Sequence, residues 1–106
     1  MPAKYVIIFV TCAATKEAAT IACALLKKRL VACANIIEGV ESRFWWKGKI
    51  DSASECLVML KAKEKNFKRI ECEVRRMHSY EVPEIIALPI AAGGKDYLRW
   101  IDEESD

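Results

Sequence analysis

The chain has 106 residues, is 53% hydrophobic and 30% charged, and carries a net charge of +2. That balance excludes an intrinsically disordered chain, and near-neutral charge gives no electrostatic footprint for nucleic acid. The length implies a single domain over residues 1–106, able to bury roughly 60–70% of its unfolded surface without staples.

Tyr5–Cys12 is a continuous apolar run, the pattern of a central strand buried on both faces. Thr15 then reads as an N-cap, with Glu17 in the favourable first turn. Ala18, Ile21, Ala22, Leu25 and Leu26 keep helical spacing, and basic residues close the helix near Arg29. Val31 to Trp46 reads as one long strand with a bulge at Gly39. Lys47-Gly48 is the turn, glycine supplying the positive φ of a tight hairpin, and Ile50 to Ala62 returns. Phe67, Ile70, Val74 and Met77 restore the helical period, with Asn66 as cap. Glu84–Ile90 is the last core strand, Gly93-Gly94 interrupts the chain, and Tyr97, Leu98 and Ile101 define a short C-terminal helix.

The order βαββαβ is the ferredoxin-like α+β plan, in which right-handed crossovers place both helices on one face of the sheet. The other face stays bare, although its strands are apolar on both sides. An antiparallel sheet tolerates water only on a polar face, so something else must cover it. Val31–Trp46 runs roughly 50 Å at ~3.3 Å per residue, so the hairpin projects beyond the domain. Its tip carries Phe44, Trp45 and Trp46. Three aromatics bury ~450–750 Å² together, more than the ~300–600 Å² patch a monomer leaves exposed. Packing on a neighbouring subunit resolves both problems. The same tip, with Lys47 and Lys49, has the composition of a single-strand nucleic-acid platform. Consecutive, hairpin-borne aromatics favour the interface reading.

No apolar run reaches transmembrane length and no signal-peptide pattern is present, which points to the cytoplasm. Cys12, Cys23, Cys33, Cys56 and Cys72 are odd in number and contain no C-x-x-C. A disulfide framework or zinc finger is therefore disfavoured, and most of the five are expected to be small buried hydrophobes. The basic runs Lys27–Arg29 and Lys61, Lys63, Lys65, Lys68 and Arg69, like the acidic tail from Asp102 to Asp106, read as solvated faces.

Chemistry concentrates in residues 78–90, HSYEVPEIIALPI, which hold the only histidine at a helix-to-strand junction. Pro83 keeps that junction extended, and Pro89 fits an edge strand. His78 is either a borderline metal ligand or a helix-end donor to orphan carbonyls. As a thiolate, Cys33 would take copper or zinc. As a packed residue it is a small apolar filler. Cys12, at the C-terminal end of the first strand, is a third ligand candidate, whereas Cys23, Cys56 and Cys72 read as structural. Glu55, Lys61, Tyr80, Glu81 and Glu84 lie on or beside elements expected near subunit boundaries. They either line an intersubunit cleft or form an ion-pair network that fixes register. No Walker, H-E-x-x-H or G-x-S-x-G motif occurs, and no hydrolase triad is assembled around the sole histidine, so the residues do not read as an enzyme.

LVACANII (30–37), WWKGKI (45–50), HSYEVPE (78–84) and YLRWI (97–101) stand at matching spacings. Together they make the chain resemble the CutA family of divalent-cation tolerance proteins. The resemblance implies a homotrimer whose sheets face a common centre, and it raises copper(II) or another divalent cation as a ligand for His78. The sequence departs from the family run H-P-Y-E-x-P-E at Ser79, and Thr11–Ala14 lacks the family's proline. The fold also resembles the trimeric PII signalling proteins. That likeness gives the alternative of a small-molecule sensor with effector clefts between subunits.

Overall fold

A computed structural model describes residues 4–106. Strand β1 (Tyr5–Cys12) leads into helix α1 (Thr15–Lys27), and β2 (Cys33–Trp46) and β3 (Lys49–Lys63) form the long hairpin. A 3₁₀ turn (Glu64–Asn66) opens α2 (Phe67–Met77), followed by β4 (Ile85–Pro89) and α3 (Lys95–Glu104). The strands form one antiparallel sheet in the order β2-β3-β1-β4. The βαββαβ order expected from periodicity is therefore the observed one, with strand ends displaced by one or two residues.

β1 alternates half-buried and buried positions. Val6, Ile8, Val10 and Cys12 point under the helices, and so do Cys56, Val58, Leu60 and Ala62, their register partners on β3. Ile21 and Leu25 of α1 and Ile70 and Val74 of α2 complete that core. Because a strand alternates faces with period two, Ile7, Phe9, Leu57, Met59, Ile86 and Leu88 share the opposite face. Among the described residues only α3 reaches it, at the Tyr5–Lys63 end, and Ile86 and Leu88 remain 50% and 43% exposed.

Lys47 and Gly48 have φ of 51° and 79°, so both central residues of the hairpin turn are left-handed, as a type I′ turn demands. Gly39 (φ 73°) lies in the register break between Ile37 and Val40, which is the expected bulge. Phe44, Trp45 and Trp46 stand at the tip, and Trp45 is 71% exposed.

The capping expectations need correction. Thr15 is the first residue of α1, not its cap. Ala14 holds the extended cap position, and its carbonyl accepts from the Ala18 N–H at 3.1 Å. The Thr15 hydroxyl turns outward to Glu38 Oε1 at 3.1 Å and lies 3.3 Å from Cys56 Sγ. Asn66 makes no side-chain cap either. Its buried amide donates instead to the carbonyl oxygen of Asp106 at 3.0 Å, because the 3₁₀ turn aims it at the end of the chain. Lys63 reaches the Ser105 carbonyl at 3.0 Å, so α3 and the residues after it are tied to the sheet. Lys28 pairs with Glu73 and Arg29 with Glu104, both at 2.8 Å. The basic runs are therefore partly engaged rather than wholly solvated.

Candidate metal centre

The C-terminal end of β1, the start of α1 and the end of α2 converge on one side-chain cluster. Cys12 ends β1 with its thiol buried. Glu17 lies in the first turn of α1. His78 is the C-terminal cap of α2, and its own backbone N–H donates to Val74 O at 2.8 Å. The candidate ligand atoms of Cys12, Glu17 and His78 all lie within 4.8 Å of one another.

His78 does not serve its own helix with its ring, as the sequence suggested. The imidazole crosses to the sheet, where Nε2 lies 2.8 Å from the Thr11 carbonyl, and the Tyr80 N–H donates to Nδ1 at 3.0 Å. A carbonyl only accepts and an N–H only donates, so these partners assign the neutral tautomer with the proton on Nε2. Nδ1 then carries the lone pair, 3.3 Å from Glu17 Oε1. The side chain is 0% exposed, so water does not separate these groups. Tyr80 packs against the imidazole with ring centroids 4.8 Å apart and the ring planes tilted by 48°.

The Cys12 thiol is pushed up to about 12, first by burial and then by the negative charge of Glu17, with smaller contributions from Cys56 and the Glu55 carboxylate. The named charged neighbours are all anionic. The cluster therefore collects soft and borderline donors with no basic side chain among those neighbours, a donor set suited to a first-row or softer divalent ion. If an ion were bound, Cys12 would offer sulfur, His78 nitrogen and Glu17 oxygen, and its positive charge would favour loss of the thiol proton.

Of the expected cleft residues, the structure joins Tyr80 and Glu55. The Tyr80 hydroxyl donates to Glu55 Oε2 at 2.6 Å, and Glu55 is buried. Burial and then the Glu55 carboxylate hold the Tyr80 phenol above its usual range. Partial desolvation, then the charge of Glu55, raises the Glu84 carboxyl. Lys61 stands apart, opposite Ile7 and Cys33 in the ladders and hydrogen-bonded to Asn35. Glu81 is exposed in the loop. Cys33 is not the packed residue expected. It lies half-buried on the open sheet face, 3.7 Å from Asn35 Oδ1 and away from the Cys12 cluster. Cys23 and Cys72, expected to be structural, are exposed, whereas Cys12 and Cys56 are buried.

Sequence reasoning missed Glu17 as a cluster residue, reading it as a first-turn acid only. The available signal was its position just after the strand that Cys12 ends. A chain that turns straight from a strand into a helix brings those two positions together.

An antiparallel ferredoxin-like sandwich with a thiol, a carboxylate and an imidazole gathered beside its first strand places the chain among small α+β proteins of that plan. The family profile described as CutA1 divalent ion tolerance protein matches residues 6–104, and the chain belongs to that family. It is 45% identical over 96 residues to the divalent-cation tolerance protein CutA of Archaeoglobus fulgidus, covering 91% of this chain and 93% of the relative. It is 43% identical to the mouse protein CutA over 92% of this chain, but spans only 55% of the mouse protein. Among solved structures, the divalent cation tolerance protein of Thermus thermophilus superposes with a TM-score of 0.94 at 37% identity, covering 96% of this chain and 99% of that one.

Proposed function

We propose that the protein is a homotrimeric binder of divalent metal ions that contributes to metal tolerance, and that Cys12, Glu17 and His78 hold the ion. The observation that carries this reading is the convergence of their ligand atoms within 4.8 Å, beside a histidine whose Nδ1 has no proton of its own; an ion would take its lone pair from the Tyr80 N–H. Copper(II) and zinc(II) suit a sulfur, nitrogen and oxygen donor set, whereas magnesium does not. The name borne by the family supports the cation reading. The bare apolar sheet face and the aromatic hairpin tip support the trimer. The five free thiols fit a reducing compartment such as the cytoplasm, and one domain suffices for the whole reading.

The test is calorimetric titration with zinc(II) under a non-thiol reductant, and with copper(II) on freshly reduced protein after the reductant is removed. Losing an outer-shell partner of a metal site costs about 10–100-fold in affinity, so Cys12→Ala and His78→Ala each weaken binding by at least about tenfold. Cys33→Ala leaves binding within about twofold, because Cys33 lies outside the cluster. Unchanged affinity in both cluster variants defeats the assignment.

The Tyr80–Glu55 bond and the raised Glu84 carboxyl favour a second reading, a PII-like sensor whose small-molecule effector lies against these groups in a cleft between subunits. A metabolite panel in the same calorimeter separates the two. Effector binding that survives Cys12→Ala and is lost in Tyr80→Phe supports the sensor.

A further inference from the structure

A second thiol stands beside Cys12, outside the cluster that Cys12 forms with Glu17 and His78. Cys12 and Cys56 are directly opposed in the β1–β3 ladder, and both are buried on the helix-covered face. Their pair type follows from the ends of the ladders. The Glu64 N–H donates to Lys4 O at 2.8 Å, and these residues continue the β1–β3 register. On the other edge of β1, the Ile90 N–H donates to Tyr5 O at 3.0 Å. Even-numbered residues of β1 therefore bond to β3 and odd-numbered ones to β4, which makes Cys12–Cys56 a hydrogen-bonded antiparallel pair.

That pair type sets Cα atoms about 5.5 Å apart and holds side chains wider than the alternate type does. Opposed Cβ atoms near the upper end of ~4.5–5.5 Å exceed the ~3.5–4.5 Å of a disulfide. Two sulfurs each ~2.3 Å from a tetrahedral zinc stand only ~3.8 Å apart, a span that two opposed side chains of this pair reach by rotating toward each other. The spacing suits an atom held between the sulfurs better than a direct bond.

We propose that Cys56 supplies a second thiolate to the Cys12–Glu17–His78 cluster, making it a site for a thiophilic divalent ion of the zinc and cadmium class. The proposal rests on the metal-binding reading above and goes further in naming the ion class and a further ligand. Two thiolates and a carboxylate carry three negative charges, which a divalent ion offsets better than a monovalent one. Sulfur-rich donors select thiophilic ions over magnesium or calcium. The hydroxyl of Thr15, 3.3 Å from Cys56 Sγ, remains as a hydrogen-bonding neighbour of that sulfur. On binding, each S–H proton leaves to solvent as its sulfur–metal bond forms, and no electrons are transferred.

Cadmium(II) is the probe, because its thiolate bonds give an ultraviolet charge-transfer band whose amplitude reports the number of sulfurs. The titration uses the chain carrying Cys23→Ser, Cys33→Ser and Cys72→Ser, so that only Cys12 and Cys56 remain. The expected result is a saturable band of two-thiolate amplitude, insensitive to millimolar magnesium. Adding Cys56→Ser halves the amplitude and weakens cadmium binding by at least about tenfold. Cys56→Val, close in volume, gives a second folded comparison if serine is not accommodated in the buried position. A band of undiminished amplitude and affinity in the Cys56 variants, lost only in Cys12→Ser, overturns the second-thiolate assignment and leaves the single-thiolate site standing. No band and no binding in the two-cysteine chain overturns both.

Discussion

His78 acts at the scale of one residue on two levels of the structure. Its Nε2–H ties the end of α2 to the last turn of β1 through Thr11 O, and its Nδ1 receives the Tyr80 N–H. Removing the ring leaves both backbone groups without these partners at a site closed to water, and an unsatisfied buried group costs about 1–3 kcal/mol. Metal affinities of His78 variants are therefore read on chains shown to be folded. Asp102 on α3 behaves differently. It accepts from the Tyr5 hydroxyl and lies beside Lys4 and Lys63. The Tyr5 hydrogen bond is the largest effect and holds its carboxyl below the usual value; burial opposes it next, and Lys4 and then Lys63 each add a smaller depression. A carboxyl depressed in the folded state adds stability above its unfolded value of about 4 and loses it as pH falls through the folded value. Asp102→Asn is thus destabilising at neutral pH, and its difference from the parent vanishes as pH drops below about 4. Thermal melts of both chains from pH 7 to pH 2 check this, and a difference that stays constant across the range refutes it.

At the scale of elements, α3 depends on very little. Ile101 is its one fully buried apolar residue, and polar ties from Tyr5, Lys63 and Arg29 hold the surrounding surface. Ile101→Ala should lower stability by about 2–5 kcal/mol, the usual range for emptying such a core position, measured by urea unfolding. A change under about 1 kcal/mol would mean that the polar ties dock the helix without it. The elements themselves were legible in the sequence because each has its own local cause. A continuous apolar run wrote β1, although only its alternate residues are fully buried rather than both faces, the Lys47-Gly48 pair wrote the turn, and a glycine inside a long strand run wrote the bulge at Gly39. The candidate site was less legible. Cys12 and His78 were identifiable as chemistry, but Glu17 and Cys56 join them only through the β1-to-α1 turn and the β1–β3 register. The helix caps were misread for the same reason. Thr15 and Asn66 have capping side chains, yet distant partners, Glu38 and Asp106, take their hydrogen bonds.

For the whole molecule, the outstanding demand is the bare side of the sheet. Helices cover one face, while Ile86 and Leu88 on the other stand with the exposed Ile37 of β2 in the same sheet. The hairpin carries the same demand outward through Phe44, Trp45 and Trp46. Burying apolar area stabilises by about 25 cal/mol per Å², so leaving such a surface in water is costly. Obligate interfaces that bury it typically exceed ~2,000 Å² and resemble a core cut in half. In the proposed trimer the sheet faces meet at the centre and each hairpin packs on a neighbour. Light scattering at low micromolar concentration should then give three times the 12.0 kDa chain mass. Leu88→Asp places a charge in the central contact and should release monomers, because an unpaired buried charge costs several kcal/mol. Trp46→Ala acts at the hairpin contact and should weaken assembly by about 2 kcal/mol, more than it weakens the fold of the separated chain, where Trp46 is already 41% exposed. A parent that scatters as a 12.0 kDa particle would remove the trimer. A fully associated Leu88→Asp chain would instead move the interface away from the open sheet face.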